Sequence, residues 1–327
     1  MKQTVLVTGA HGFVASALIA RLSRDDVAVR CSVREGSAEV PSGVQVIANG
    51  AIDGSTDWRA ALNGATAVVH CAARVHQLHE PTADALSGYR RVNRDGTLAL
   101  ARQAADAGTR RLIFLSSIKV NGESTPPGRP FRGDDRPAPL DPYAVSKWEA
   151  EQELRLLAAS TGLEVVVIRP PLVYGPGVKA NFRAMMKSLR WGIPLPFGAV
   201  HNRRSLVCVS NLIDLVLVCL HHPDASGRTF LVSDGQDLST TELLQRTTRA
   251  LGRNSRLIPV SERLLRQAFA LFGREGLAHR LLDSLEVDID DTCRILGWQP
   301  PLGVDQALVD TVQHYLRSEG RSVGASG

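Results

Sequence analysis

Two side chains able to move a proton stand four residues apart in Asp141-Pro142-Tyr143-Ala144-Val145-Ser146-Lys147. Asp141 suits a helix N-cap and Pro142 the first helical position, so the Tyr143 phenol and the Lys147 ammonium should share one helical face. A cation beside the phenol favours the tyrosinate and is expected to lower a pKa that starts near ~10, giving an acid or base usable around neutrality. Amphipathic helices also carry Tyr and Lys at this spacing without doing chemistry, so the surrounding chain must decide.

The elements that would position this pair read as alternating strands and helices. Val5-Leu6-Val7 is a short strand that runs at once into Gly9-Ala10-His11-Gly12-Phe13-Val14-Ala15 and an apolar helix ending near Leu22. Strand, glycine turn and helix together offer backbone N–H groups and a positive helix end to a pyrophosphate. The spacing is G-x-x-G-x-x-A rather than G-x-G-x-x-G. Further strands are predicted at Val27 to Val33, Val44 to Ile47, Ala67 to His70, Arg111 to Ser116 and Val165 to Arg169. Helical patterns fall between them near Trp58 to Leu62, Tyr89 to Ala107 and Tyr143 to Ser160. That alternation is what an α/β fold with a Rossmann, doubly wound parallel sheet requires. Its strand ends would bring Gly9, Arg34, His70-Cys71-Ala72-Ala73 and Leu115-Ser116-Ser117 to one crevice.

At the end of the second strand, where a carboxylate often grips the adenosine ribose, the sequence is Cys31-Ser32-Val33-Arg34. An arginine without a carboxylate suits a ribose 2′-phosphate, so NADP(H) is expected over NAD(H), although Arg30 and Arg34 could also be solvated surface charges. The loop from Gly122 to Pro139, with its Pro126-Pro127 pair, reads as a surface lid or connector. Beyond Arg169 the tidy alternation stops, and a smaller, partly interleaved C-terminal lobe is predicted. The division expected is residues 1–170 for the dinucleotide domain with 205–232 returning to it, 171–204 and 233–318 for the substrate lobe, and a disordered tail over 319–327.

Composition narrows the class. Hydrophobic content of 44% and charged content of 22% are those of a soluble globular protein, and the window Leu206 to Leu220 is too short to span a bilayer and carries Asp214. The first residues lack the charged and apolar pattern of a secretory leader. Five cysteines without C-x-x-C spacing read as buried thiols in a reducing cytoplasm. A net charge of +5 comes from scattered arginines, which argues against nucleic acid as a partner. His76 with His79, and His221 with His222, lack convergent partners at metal-ligand spacing, so no metal is expected.

Thr8-Gly9-x-x-Gly12-Phe13, His70-Cys71-Ala72-Ala73, Asn93, Ser116-Ser117, Tyr143-x-x-x-Lys147 and Arg169-Pro170-Pro171-Leu172-Val173-Tyr174-Gly175-Pro176-Gly177 occur in order. Together they resemble the extended short-chain dehydrogenase/reductase family, in its nucleotide-sugar epimerase/dehydratase branch, nearly to Leu316. The resemblance implies Tyr143 as acid/base, Lys147 as its pKa-lowering and ribose-binding partner, and Ser117 as the hydroxyl on the reacting oxygen. It further implies cofactor contacts from Gly9, His11, Gly12, Phe13, Val14, Arg34, Ile52, Cys71, Ala72, Ala73 and Pro170. Substrate contacts to a uridine diphosphate sugar are implied for Lys119, Asn181, Leu195, Phe197 and Arg204. The helices Tyr89 to Ala107 and Tyr143 to Ser160 resemble those that form a four-helix homodimer interface in this family.

Three departures shape the expected activity. Ala51 stands where an Asp often reads the adenine, and no second arginine matches the family's diphosphate clamp near Ser284 to Val287, Arg280 being off pattern. Dehydratases resemble one another in an Asp-Glu pair directly after the hydroxyl residue, whereas this chain has Ile118-Lys119, which removes a dehydration acid and base. The C-terminal half is similar to bacterial enzymes of lipopolysaccharide O-chain synthesis that reduce a UDP-4-keto-6-deoxy-N-acetylhexosamine. The function expected is therefore NADPH-dependent reduction at C4, with a UDP-hexose or UDP-N-acetylhexosamine 4-epimerase retaining NAD as the alternative. A noncatalytic NADP-binding protein is the more distant one.

Overall fold

The chain alternates β-branched runs with helical ones, and the computed structural model, which describes residues 3–25, 27–36, 40–75 and 85–324, folds that alternation into a layered α/β unit. Seven strands are β1 (Thr4–Thr8), β2 (Ala28–Val33), β3 (Gln45–Ala48), β4 (Ala67–His70), β5 (Arg111–Leu115), β6 (Glu164–Arg169) and, after two short strands elsewhere, β9 (Thr229–Leu231). They form one sheet in the order β3-β2-β1-β4-β5-β6-β9. Every pairing is parallel, so all carboxyl ends lie along one edge.

The helices are α1 (Phe13–Leu22), α2 (Arg59–Leu62), α3 (Ala85–Tyr89), α4 (Gly96–Asp106), α5 (Pro142–Thr161), α6 (Ala180–Arg190), α7 (Val209–His221), α8 (Thr240–Ala250), α9 (Glu262–Leu271), α10 (Glu275–Leu282), α11 (Asp290–Leu296) and α12 (Val304–Gly324). Strand side chains alternate between faces. Val5, Val7, Ile113, Val166 and Ile168 pack with α1 and α7 on one face. Leu6, Leu112, Phe114, Val165 and Val167 pack with α2, α4 and α5 on the other. Burial on both faces explains why these strands read as unbroken apolar runs.

The smaller lobe is built around β7 (Leu172–Tyr174) and β8 (Leu206–Cys208), which pair parallel in their own two-stranded sheet. Its core joins Tyr174, Phe182, Met186, Leu206, Leu308 and Val312. A second patch of Val200, Leu265, Ala278 and Leu282 seats α9 and α10. Among the described residues no helix is long and apolar enough to cross a membrane.

Several expectations shift. The return to the main sheet runs through α7 and β9, while Leu206–Cys208 pairs with β7 instead, because the run after Arg169 turns away at Pro170 and Pro171 before extending. Helix α6 lies in a stretch whose prolines and glycines mask its apolar stripe of Phe182, Met186 and Leu189. The segment 122–139 is a stitched connector, not a free lid: Phe131 N donates to Glu286 O at 2.8 Å, Thr125 N to Ser284 O at 2.9 Å, and Arg132 pairs with Asp288 at 3.1 Å. The last helix extends through Gly324, past the boundary at 318 where a disordered tail was expected to begin; 325–327 lie outside the described residues.

Candidate active site

The sheet's carboxyl edge gathers the glycine turn, the β4 exit and the β5 exit. Gly9 sits at φ +77°, and a Cβ there would lie 2.9 Å from Ala72 Cα, so turn and β4 exit approach as closely as backbone allows. Gly12 caps α1 without a side-chain hydrogen bond, leaving the N–H groups of the first turn without a side-chain acceptor. A glycine cradle with such a helix end fits a dinucleotide pyrophosphate. His11 is exposed, Phe13 and Val14 are half-buried, and Phe13 also packs against the main core. Ile52, on the loop after β3, packs so tightly on Gly96 that a Cβ there would stand 2.5 Å from Ile52 Cγ2.

Arg34 is exposed just past β2. Arg30 does not share that position's role, since its guanidinium donates to Gln45 Oε1 at 2.8 Å and to the carbonyls of Ala61 and Asn63 at 2.7 and 2.8 Å.

A buried polar chain ties this edge to the Tyr143 helix. Ala72 N donates to Thr8 Oγ1 at 3.2 Å, Thr8 Oγ1 meets His70 Nδ1 at 2.7 Å, His70 Nε2 meets Thr97 Oγ1 at 3.0 Å, and Thr97 donates to Asn93 O at 2.6 Å. Because both threonine hydroxyls already have fixed roles, the His70 proton is assigned to Nε2. Burial, helped by the Lys147 charge, drops His70 to about 3, so the ring is neutral. Asn93 lies in the π-helical turn Arg90–Asp95 that joins α3 to α4. Its side chain accepts from Arg74 N at 2.8 Å and donates to Ser146 Oγ at 3.0 Å, and Ser146 donates to Tyr143 O at 2.7 Å.

At the β5 exit the two serines part. Ser116 is buried and donates to Glu151, which Arg169 grips with two hydrogen bonds of 2.9 and 2.6 Å. Ser117 turns the other way, caps the short helix Ile118–Val120 and hydrogen-bonds the Tyr143 phenol. Pro170 O accepts from Ile118 N at 3.0 Å, holding that turn against the end of β6. Asp141 caps α5 as its type predicts, accepting from Ala144 N at 2.7 Å.

Lys147 is buried, donates to Leu115 O at 2.8 Å and stands 4.3 Å over the Phe114 ring. Burial lowers it to about 8, with Cys71 and Glu151 opposing. The expected lowering of Tyr143 is not what the site shows. Burial, followed by the charge of Asp141, pushes Tyr143 up to about 12, and only the Ser117 hydrogen bond pulls it down. The physical reason is that desolvation penalises the tyrosinate while the Lys147 ammonium is aimed at Leu115 O. Cys71, half-buried beside Lys147, is also pushed up to about 12 by burial, which makes it no nucleophile. Cys293 is half-buried as well, and Cys31, Cys208 and Cys219 are buried; all five thiols are free.

The substrate-side candidates divide. Lys119 Nζ is tied to Asp141 Oδ2 at 2.5 Å and Glu123 Oε1 at 2.8 Å, so its charge is already spent. Asn181 is exposed at the start of α6, whose N-cap Lys179 makes no side-chain cap bond. Leu195 and Phe197 are half-buried; Leu195 bridges Leu257, and Phe197 packs on the patch of α9 and α10. Arg204 donates to Asp283 O at 2.8 Å, and burial lowers its pKa. Its neighbour Arg203 pairs instead with Glu286 and Asp237 at 2.7 and 3.0 Å.

What sequence reading missed is the support: Asn93 as a hydrogen-bonding hub, Glu151 with Arg169 beneath Ser116, and Asp141 as partner to Lys119. Asn93 had been marked within a motif but given no task, and a Glu eight residues after Tyr143 is too far in sequence for local spacing to flag. Among the described residues no cluster of three or more His, Cys, Asp or Glu could hold a metal ion, and His76 and His79 lie outside the described residues.

The chain is similar to known proteins over most of its length. The model of the NAD dependent epimerase/dehydratase family matches residues 5–233. The chain is 44% identical over 323 residues, 98% of both chains, to a protein of Vibrio cholerae named UDP-glucose 4-epimerase. It is 30% identical over 254 residues, 69% of both chains, to a dihydroflavonol 4-reductase of Zea mays. Among solved structures, MoeE5 in complex with UDP-glucose and NAD superposes with a TM-score of 0.76 at 25% identity, covering 96% of this chain and 99% of that one.

Proposed function

The chain belongs to the NAD dependent epimerase/dehydratase family and is an NAD-dependent enzyme, and from that premise we propose that it interconverts the C4 epimers of a UDP-hexose or UDP-N-acetylhexosamine. Full-length similarity to the Vibrio cholerae 4-epimerase carries this reading. It reverses the order expected from sequence, where net reduction stood first. Buried Ile118, and Lys119 held by Asp141 and Glu123, argue against dehydration.

The dinucleotide would lie along Gly9, Gly12, Phe13 and Ala72 to Pro170, and its nicotinamide would exchange a hydride with C4. Tyr143 takes the proton from the C4 hydroxyl and returns it to the keto oxygen. Ser117 holds that oxygen against Tyr143 with a hydrogen bond that is stronger when charge develops. Lys147 positions the ribose from one turn along α5. Arg204 binds the diphosphate: burial desolvates its guanidinium, which donates to the Asp283 carbonyl and feels the Asp283 charge, and an incoming phosphate adds a stronger counter-charge. Asn181, Leu195 and Phe197 complete the nucleotide site. The outer faces of residues 85–106 and α5, where Leu156 is exposed, form the proposed homodimer contact, and the free thiols fit a reducing cytoplasm.

One observation favours a second reading, an NADPH-dependent 4-ketoreductase acting on a UDP-4-keto-6-deoxy sugar: Arg34 stands exposed past β2 with no carboxylate at the strand tip. The test is the nucleotide released when purified protein is denatured. NAD held near one equivalent per chain supports the epimerase. An empty site, with NADPH consumed mole for mole against a keto sugar, establishes the reductase.

A further inference from the structure

Lys119 follows Ser117 by two residues, and Asp141 precedes Tyr143 by two. The Lys119 ammonium lies 2.5 Å from Asp141 Oδ2, while the other oxygen of that carboxylate caps α5 through Ala144 N at 2.7 Å. One ion pair therefore clips the turn bearing the substrate-holding hydroxyl onto the helix start bearing the phenol. Both partners are partly shielded, with side-chain exposures of 29% and 16%.

We propose that the Lys119–Asp141 pair is a positioning device for Tyr143, fixing the Ser117 turn to α5 and setting how readily the phenol releases its proton. Asp141 alone would oppose formation of a tyrosinate two residues away. Lys119, paired to Asp141 on the side of the Ser117 turn, offsets part of that charge, and Glu123 at 2.8 Å is its second partner. The groups around Tyr143 are Asp141 and Lys147 on its own helix, Ser117 and Lys119 on the β5 turn, and Tyr89 packed edge-on at 6.2 Å on α3, itself under Arg74. Of these, the pair is the one whose members can be altered separately. The inference rests on Tyr143 being the proton-transfer group, and needs no particular sugar.

The test is the tyrosinate absorbance of Tyr143 in the full chain, read by pH-jump before alkaline unfolding and corrected with Tyr143→Phe, since the chain has four tyrosines. Asp141→Asn keeps a good N-cap while removing the charge, and should lower the Tyr143 midpoint by about one pH unit. Lys119→Gln should raise it by a similar amount, the double variant should fall between them, and Lys119→Arg should match wild type. Unchanged midpoints, or both single variants moving the same way, overturn the proposal. Because no substrate is used, a failure here is separate from a failure of the epimerase reading, which the nucleotide released on denaturation reports.

Discussion

Ser116 Oγ lies 2.5 Å from Glu151 Oε1 in the buried floor of the site, and that bond decides which of two adjacent serines faces the chemistry. With Ser116 turned inward, extended strand geometry sends Ser117 to the opposite side, where it meets Tyr143. Ser117→Ala should therefore lower kcat about 100-fold with little change in cofactor affinity, the scale of losing one oxyanion donor. Ser116→Ala should instead cost about 1–3 kcal/mol of stability, because a buried carboxylate loses a donor. Steady-state kinetics beside urea unfolding separates the two.

Arg169 and Glu151 are 1% and 0% exposed and bonded through two contacts, with Asn121 taking a third arginine hydrogen at 2.9 Å. Breaking such a pair from one side strands a charge in the core. Arg169→Met should destabilise the fold by about 3–5 kcal/mol. Calorimetry should show the loss largely recovered when Glu151→Leu is added.

His70 gives the acid limb of stability a source. Its ordinary pKa of 6.5 falls to about 3 in the fold. Between those values the unfolded chain binds a proton that the folded chain refuses, so stability is complete above 6.5 and is lost as pH falls. The slope is at most about 1.4 kcal/mol per pH unit. Urea midpoints from pH 7 to pH 5 should fall more steeply for wild type than for His70→Asn.

Arg204 and Arg203 are neighbours with opposite prospects. Arg203 is 64% exposed with two carboxylate partners, whereas Arg204 is desolvated against a carbonyl. Arg204→Ala should weaken UDP binding at least tenfold, about 1.4 kcal/mol, and Arg203→Ala should change it by much less. Titration calorimetry with UDP alone suffices.

Much of this arrangement was legible in sequence. The strands of the main sheet were apparent because burial on both faces makes Val, Ile and Leu runs, and α5 because Asp141 and Pro142 announce its start. Gly9 and Ala72 were expected near each other because both follow parallel strands. The rest depends on contacts distant in sequence. Nothing local to Lys119 shows Asp141 across from it, and nothing local to Tyr143 shows that burial outweighs Lys147. Helix α6 was hidden because Pro and Gly crowd its flanks, though its own apolar spacing was regular. Arg34 lies exposed just past β2, and its exposure alone does not choose between cofactors.

The central claim is hydride leaving and returning to one sugar carbon under Tyr143. It is tested most directly by incubating the protein with UDP-glucose deuterated at C4 and following product by mass spectrometry and nicotinamide absorbance. The account predicts UDP-galactose that retains the deuterium at C4, no net change in reduced nicotinamide, and loss of turnover in Tyr143→Phe with cofactor still bound. Absence of interconversion together with stoichiometric NADPH consumption on a UDP-4-keto sugar, or full activity in Tyr143→Phe, would contradict it.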